Sequence, residues 1–543
     1  FKEHILQELP VSELSPFFNS GFGRPTKDLY TVIGVLILQQ THDLTDEEAV
    51  DQLSFNIQWH YALNIFEESD SAKYMCPKTL WNMRTIVAEH GLEETLFNAG
   101  TQKLSEVFNV DTDKQRIDSV HIRSNMRRLG RINIFSKSIH RFLKNLKRQY
   151  ASRFETVEKA IFDRYFSKNA LACFAMVKPS QGQKTLVQVS TDLYGLIRQF
   201  KDCDGVNGMH SFKLLQRILD EQCIVSTSDD DCRVAVKEPK KIPSDSLQNP
   251  SDPDASYSGH KGQGYQVQVM ETYTDTDDPK QKAQTLNLIT HVEVERAHES
   301  DANALIPAIE STQQRELAPK ELLADSLYGS DENVETAKDK GIDVIAPPMG
   351  SEKKGTLGLS DFHLEKSGKV VNCPQGHAPI NTSKKKTRYC AAFDLSHCSD
   401  CPNRSICPAA PGKKAFYLRY TDKQLRIALR RSAVDTDEFK DRYRWRAGVE
   451  ATMSEFDRRT GVKRLRVRGF KAVRFSATLK ALGLNILRAA VVMAAMLAGT
   501  PEKTGPDGGC CADINVIKER FWAIFTYFAR LLRLTPFLRV CAQ

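Results

Sequence analysis

Three acidic residues sit in settings from which a fold could bring them to one point. Asp118 lies in the strand-like run Gln115-Arg-Ile-Asp-Ser-Val-His-Ile122. Asp325 closes Glu321-Leu-Leu-Ala-Asp325, just before Ser326-Leu-Tyr-Gly-Ser-Asp331. Glu450 lies in Tyr443-Arg-Trp-Arg-Ala-Gly-Val-Glu450, whose spacing is helical. Two carboxylates at strand ends and a third on a helix can hold a pair of divalent metal ions. Such a pair, roughly 3.5–4 Å apart, activates the attacking oxygen and stabilises the leaving oxygen in phosphodiester chemistry. The residue types therefore point to magnesium-dependent chemistry on DNA.

Each acid has a plainer reading beside this one. Asp325 ends an apolar strand and faces a turn, the place where catalytic groups gather in open α/β sheets, although a helix-capping Asp looks the same. Tyr443, Arg446, Glu450 and Asp457 fall at i, i+3, i+7 and i+14. In one continuous helix they lie within about 60° of one another. Such a stripe is poor core material and suits a face that meets metal and phosphate; the plainer alternative is a surface ladder of ion pairs. Asp118 gains from Arg123, Arg127 and Arg128 close behind it. Asp192, after the strand-like Thr185-Leu-Val-Gln-Val-Ser-Thr191, competes for its role, and Asp252 and Asp254 are further candidates.

A second kind of chemistry is written in cysteine. Of 13 cysteines, five lie between Cys373 and Cys407, which points to metal binding in a reducing compartment rather than to a disulfide scaffold. Cys373-Pro-Gln-Gly-His377 is followed by Cys398-Ser-Asp-Cys401 and Cys407. Cys373, Cys398, Cys401 and Cys407 are the expected tetrahedral zinc ligands, with His377 as substitute for Cys373 and Cys390 as a bystander. The expected role is structural, pinning a loop-rich insert too small for its own core.

The net charge is +8, from 76 basic and 68 acidic residues, and its placement matters more than its size. Ten Lys or Arg and no acid fall between Ser119 and Phe154, and eight more fall between Arg458 and Arg474. Runs of this kind attract phosphate irrespective of sequence, although a solvated helix face has the same composition. The longest apolar run, Ala489 to Ala498, is half of the ~20 residues a membrane span needs and reads as a buried helix. The N-terminal residues lack the order of a secretory signal. Phe1 stands where an initiator Met is expected, which reads as a fragment.

The elements that must position these groups can be read along the chain. Residues 1 to about 100 are helical: a turn at Gly23-Arg-Pro25, an apolar stripe from Leu29 to Leu38, a capping box at Thr45-Asp-Glu-Glu48 and a helix from Pro77 to Gly91. Three such helices suit a DNA reader, or equally a helical cap or dimer module. After the strand at 115–122 comes a mostly helical region to about 225. A polar, proline-broken linker follows, with Ser226 to Asp231 leading into Pro239 to Pro250. Gly264 to Thr272 and Leu286 to Val294 alternate as an antiparallel pair. A helix over 301–314, the strand ending at Asp325, a helix over 332–340 and a strand over 342–346 complete a mixed α/β sheet.

The chain resembles bacterial insertion-sequence transposases of the DDE class. Ile117-Asp-Ser-Val-His-Ile-Arg-Ser-Asn125 resembles the first-acid motif, which favours Asp118 over Asp192. Ala324-Asp325 with Tyr328-Gly-Ser330 resembles the second. Tyr443, Arg446 and Glu450 resemble the third-acid signature Tyr-x2-Arg-x3-Glu-x6-Lys, with Asp457 where the signature has Lys. Ser251-Asp-Pro-Asp-Ala-Ser-Tyr257 and Gly259-His-Lys-Gly262 are similar to the approach to the second strand, and the N-terminal motifs to the family's N-terminal domain.

The resemblance implies an RNase H-like catalytic core over 106–350, with a helical insertion at about 134–235. A helical N-terminal domain occupies 1–105, a zinc-ribbon-like insert 351–415, the C-terminal part of the core 416–500 and a tail with a helix 501–543. It implies cleavage at terminal inverted repeats and strand transfer, with Asp118, Asp325 and Glu450 ligating two Mg²⁺, or Mn²⁺ in their place. Tyr443, Arg446, Arg127, Arg128, Arg458, Arg459, Lys463, Arg464, Arg466 and Arg468 are the implied DNA contacts. The expected partners are double-stranded DNA, as terminal repeats and target, and a second copy of the chain on it. No membrane is expected, and the expected place is the bacterial cytoplasm, at the nucleoid. A transposase-derived DNA-binding protein without catalysis and a metal-dependent nuclease on the same core are the alternatives.

Overall fold

In the computed structural model the strand expected at 115–122 runs Lys114–Arg123 (β1), and the sheet forms around it. The other strands are Ser256–Ser258 (β2), Gly262–Thr272 (β3), Ile289–Arg296 (β4), Glu321–Leu323 (β5) and Asp343–Ile345 (β6). The structure describes residues 1–17, 28–166, 177–228, 231–351, 353–365 and 367–499. Gly23-Arg-Pro25 and the expected helix of the 501–543 tail lie outside the described residues. The chain divides into two compact units, Phe1–Met493 and Ala494–Gln543, and of the second only the residues up to Gly499 are described.

β3 pairs antiparallel with β1, Asp118 opposite Val269, and also with β2 and β4. The alternating sequences of β3 and β4 give the expected antiparallel pair. Beyond β1 the sheet turns parallel, β1 to β5 and β5 to β6, with one helix before β5 and another after it. The result is a mixed six-stranded sheet. At Gly264, φ is +152° and an added Cβ would stand 2.0 Å from the Ile122 carbonyl oxygen, so only glycine lets β3 close on the end of β1.

Alternation divides the sheet into two apolar faces. Val120, Ile122, Val267 and Val269 face a core shared with the N-terminal helices Leu29–Thr41 (α1), Asp46–Phe55 (α2) and Pro77–His90 (α3). The capping box at Thr45 and the stop at Gly91 form as expected. α1 is buried all round from Thr31 to Thr41, so it serves as an interior element of this shared core. Ile117 and Met270 face the other way. They pack with Leu305, Ile309, Leu322, Tyr328 and Val344 under the helices that flank β5, Leu305–Gln313 (α4) and Asp331–Asp339 (α5).

The shared core also receives Gly448–Thr460 (α7) and, in part, Phe470–Gly499 (α8), through residues such as Val449, Phe456 and Leu482, while Asp437–Tyr443 (α6) packs through Phe439 and Tyr443 on a separate small cluster around Tyr273, Leu323 and Ile345. α8 is long and apolar enough to cross a membrane by length and composition, with half of its most apolar window buried inside the protein. Its polar residues are spent within the fold. Lys480 donates to Asp43 at 2.8 Å, and Asn485 bonds both the N–H and the carbonyl of Ile289.

Between β1 and the linker, helices Arg131–Gln149, Gly182–Phe200 and His210–Gln222 enclose a separate core around Phe142, Phe200 and Phe212. Two expectations fail here. Ser226 to Asp231 does not simply lead into the linker: Cys223–Ser228 and Asp231–Val236 pair as a hairpin, as their β-branched content favours. Thr185 to Thr191 is helical rather than strand-like, because its apolar residues continue at helical spacing through Leu193, Leu196 and Ile197.

The cysteine-rich segment also departs from expectation. Strands Asn381–Lys385, Arg388–Phe393, Phe416–Thr421 and Ala410–Pro411 form a four-stranded sheet. Phe362, Val370, Tyr389, Phe393, Phe416, Leu418 and Tyr420 give it a core of its own. The aromatic residues there supply the buried area that cysteine spacing alone did not suggest.

Candidate active site

Asp118 shares its face of β1 with Val120 and Ile122, so it points toward the layer that carries α7. Its side chain is 18% exposed and lies 2.9 Å from Arg446 Nη2, while its Oδ1 accepts the Ser119 N–H at 2.8 Å. Burial raises the Asp118 carboxyl above its ordinary range. The Ser119 N–H and Arg446 oppose this, and Asp325 and Asp301 push it further up. Asp325 lies two residues beyond β5, and its Oδ1 accepts the Leu327 N–H at 2.8 Å, which fixes the turn. Glu450 is in the first turn of α7, with Oε1 3.4 Å from Arg446 Nη1 and a side chain 71% exposed. The structure therefore draws Asp118 and Glu450 onto one guanidinium, with Asp325 within electrostatic reach of Asp118.

The four-residue stripe expected on one continuous helix is not one helix. α6 ends at Tyr443, Arg444–Ala447 winds as a 3-10 turn, and α7 begins at Gly448. Tyr443 leaves the stripe, stacking on Phe439 and packing with Tyr273, Leu323 and Ile345. Its hydroxyl is pushed up, first by burial and then, against Arg446, by Asp325 and Asp118.

A buried ion network holds this break in place. Arg116, two residues before Asp118, donates through Nε to Glu271 at 2.8 Å and through Nη1 to the Trp445 carbonyl at 2.8 Å. Glu271 also accepts from Arg488 on α8 at 2.9 Å and from Thr452 on α7 at 2.7 Å. Arg488 pairs with Glu455 at 2.9 Å. Burial works to raise the Glu271 carboxyl, but Arg488 and Arg116 outweigh it and hold the group below its ordinary range. At Gly448 an added Cβ would stand 2.0 Å from Arg116 Nη1, so the glycine lets α7 start against that guanidinium. Sequence reading missed Arg116, Glu271 and Arg488; the one signal was that charged residues stand within an apolar strand and an apolar helix.

These donors suit divalent cations. Among the described residues no group of three or more His, Cys, Asp or Glu stands together as a metal cage. Yet Asp118 and Glu450 already converge on one cationic group, and the buried Nε of that Arg446 has no hydrogen-bond partner.

Residues 372–490 match a family described as a transposase DDE domain, and residues 3–85 match a transposase domain (DUF772). Together these matches support a DDE-type insertion-sequence transposase. The first spans Tyr443, Arg446 and Glu450, the second spans α1, α2 and the first part of α3, and Asp118 and Asp325 fall outside both. No curated protein matches the chain.

The rival acids have structural partners. Asp192 is buried in the helix Gly182–Phe200, paired with Arg164 and bonded by Tyr165 and Gln188. Asp252 accepts from Ser124, Tyr265 and the Gly469 N–H, and Asp254 from the Phe470 N–H. Asp457 accepts the Lys463 N–H at 3.1 Å, closing the turn where α7 ends at Gly461.

The basic residues singled out in the sequence are dispersed. Arg458 and Arg459 line a cleft beside Trp445 and Glu455. Arg466 reaches Asp43 at 3.3 Å, Arg468 donates to the Asn125 carbonyl, and Lys463 stands 4.0 Å from Asp457. Arg464, Arg127 and Arg128 are exposed, the last over the ring of Tyr257.

Cys373, Cys398 and Cys407 pack at the edge of the small sheet's core. The Cys398 thiol is pushed up by burial and then by Cys407, Cys373 and Cys401. His377 stacks flat on His397 at 4.2 Å.

Proposed function

We propose that this transposase cuts DNA at the terminal inverted repeats of an insertion sequence and joins the freed ends to target DNA. The observation that carries the reading is the convergence of Asp118 and Glu450, from distant segments of the chain, on Arg446, with Asp325 within electrostatic reach of Asp118. A mixed sheet with an acid in its central strand and another just past the neighbouring parallel strand is compatible with an RNase H-like core.

In this reading Asp118, Asp325 and Glu450 hold two Mg²⁺ ions, with Mn²⁺ able to replace them. When bound, the ions supply activation of the attacking oxygen and charge neutralisation at the leaving oxygen. The protein's own part is positioning. Glu271 ties β3 to α7 and α8, and Arg116 anchors the turn before α7, so Glu450 is presented to Asp118 from a fixed helix start. Arg446 orients both acids. Tyr443 braces the turn from the sheet side.

Cys373, Cys398, Cys401 and Cys407 are proposed to hold a structural zinc, since the other three thiols all act on Cys398 and cysteine sulfur is the usual ligand of structural zinc. A homodimer on paired DNA ends, at the nucleoid of a bacterial cytoplasm, is the proposed working form. Asp457 does not by itself favour a decayed binder, because its carboxylate is engaged by the Lys463 N–H. Incubating the protein with pre-cut end duplex, a plasmid target and Mg²⁺ tests the reading. Inserted DNA supports a transposase, and nicked but unjoined DNA supports a nuclease.

A further inference from the structure

Gly448, Ala451, Thr452, Glu455, Arg458 and Arg459 recur at helical spacing along α7 and line one wall of an open cleft. At 100° per residue Glu455 stands about 140° around the helix from Glu450, so this wall faces away from the acids. The floor is formed by Arg116 and Arg488, whose charges are matched by Glu271 and Glu455. The rim is not matched in the same way. Arg444 lies 4.3 Å over the ring of Trp445 and Lys282 5.7 Å from it, and both share Asp277, at 3.2 and 3.7 Å. Those are solvent-exposed pairs, which contribute little and exchange readily for another anion. Arg458 adds a further exposed cation.

We propose that this cleft is a second DNA site that holds a phosphodiester backbone on the far side of α7 from the acid site. The wall from Gly448 to Arg459 is roughly 16 Å long at the helical rise. That is long enough to run beside several consecutive phosphates of one strand, and a single small anion would leave most of it unused. Trp445, flanked by two cations, gives a flat surface on which any base can stack without regard to sequence. The inference rests on the reading that the chain handles DNA, but not on its cutting DNA.

The test uses the Glu450→Gln protein, which should bind without cutting, and the same protein with Lys282→Gln and Arg458→Gln added. Binding to a duplex from the gene's flanks and to an unrelated duplex of equal length is measured across a salt series. Both added changes are at exposed side chains, so the melting temperature should hold. The expected result is affinity lower by about tenfold and a salt slope shallower by about 2, near 0.9 for each phosphate no longer neutralised. Equal losses on both duplexes assign the cleft to any DNA, target included, and a loss confined to flanking duplex assigns it to the element's end. In the parent background, Trp445→Phe should remove most of the tryptophan quenching caused by DNA. Unchanged affinity, slope and quenching overturn the proposal. If the slope falls while the wild-type protein never cuts, the cleft stands and the transposase chemistry fails.

Discussion

Arg446 and Asp118, 328 residues apart in the chain, meet at 2.9 Å, and the same guanidinium reaches Glu450 at 3.4 Å. A forked cation can hold two carboxylates at once; a lysine ammonium is a single point and cannot do so with the same geometry. Arg446→Lys should therefore lower single-turnover cleavage, and Arg446→Met should lower it more, on the order of 10²–10³-fold, the usual range for a lost charge-stabilising donor. Wild-type rates in Arg446→Met would rule out a role for Arg446 in cleavage.

Glu271 is buried between Arg116 and Arg488, so its loss leaves two guanidinium groups short of a partner. Glu271→Gln should destabilise the protein by roughly 3–5 kcal/mol, as expected for one partner removed from a buried ion cluster. Because the folded state holds this carboxyl below its ordinary range, its contribution is complete above the unfolded-state value. It is lost as pH falls through the depressed folded value. Urea melts between pH 7 and pH 3 should show the wild type losing stability on acidification, with a smaller loss in Glu271→Gln. Parallel pH curves would contradict the assignment.

Much of the frame was legible in the sequence because its signals are local. Alternation in Gly264 to Thr272 marks a strand, and Thr45 with Glu48 marks a helix start. The settings of the three acids single them out in the sequence, but the meeting of Asp118 and Glu450 at Arg446 is not readable there. What was not legible depends on contacts between distant segments. Nothing near Arg116 shows that Glu271 and Trp445 will meet it, so the 3-10 break before Gly448 was read as unbroken helix. Asp192 was misread because a β-branched run looks like a strand until its apolar spacing is followed to Phe200. The small sheet of the cysteine-rich segment was underestimated because thiol spacing carries no sign of how Tyr389, Phe393 and Phe416 pack.

Asp457 stands where the family signature has lysine, and it closes the end of α7 by accepting the Lys463 N–H at 3.1 Å. Asp457→Lys should cost about 0.5–1.5 kcal/mol, the usual worth of such a bond. It should also tighten DNA binding by replacing a negative charge with a positive one. A melting curve and a binding titration on one preparation check both. A variant as stable as wild type with unchanged affinity would show that the position is neutral.

Cys398 and the three thiols that act on it predict about one zinc per chain, measured by elemental analysis of protein purified without chelator. Cys401→Ser should lose the metal and lower the melting temperature. Zinc-free wild-type protein that melts at the same temperature as Cys401→Ser would exclude the site.

The most direct measurement of the central claim is cleavage of the gene's own flanking DNA by purified protein with Mg²⁺ or Mn²⁺, beside Glu450→Gln. Glu450→Gln should fold and bind as the wild type does, since its side chain is mostly exposed. The account predicts metal-dependent nicking at defined ends in the wild type and its loss in the variant. Undiminished nicking by Glu450→Gln, or specific binding without any nicking by the wild type, would contradict the three-carboxylate site.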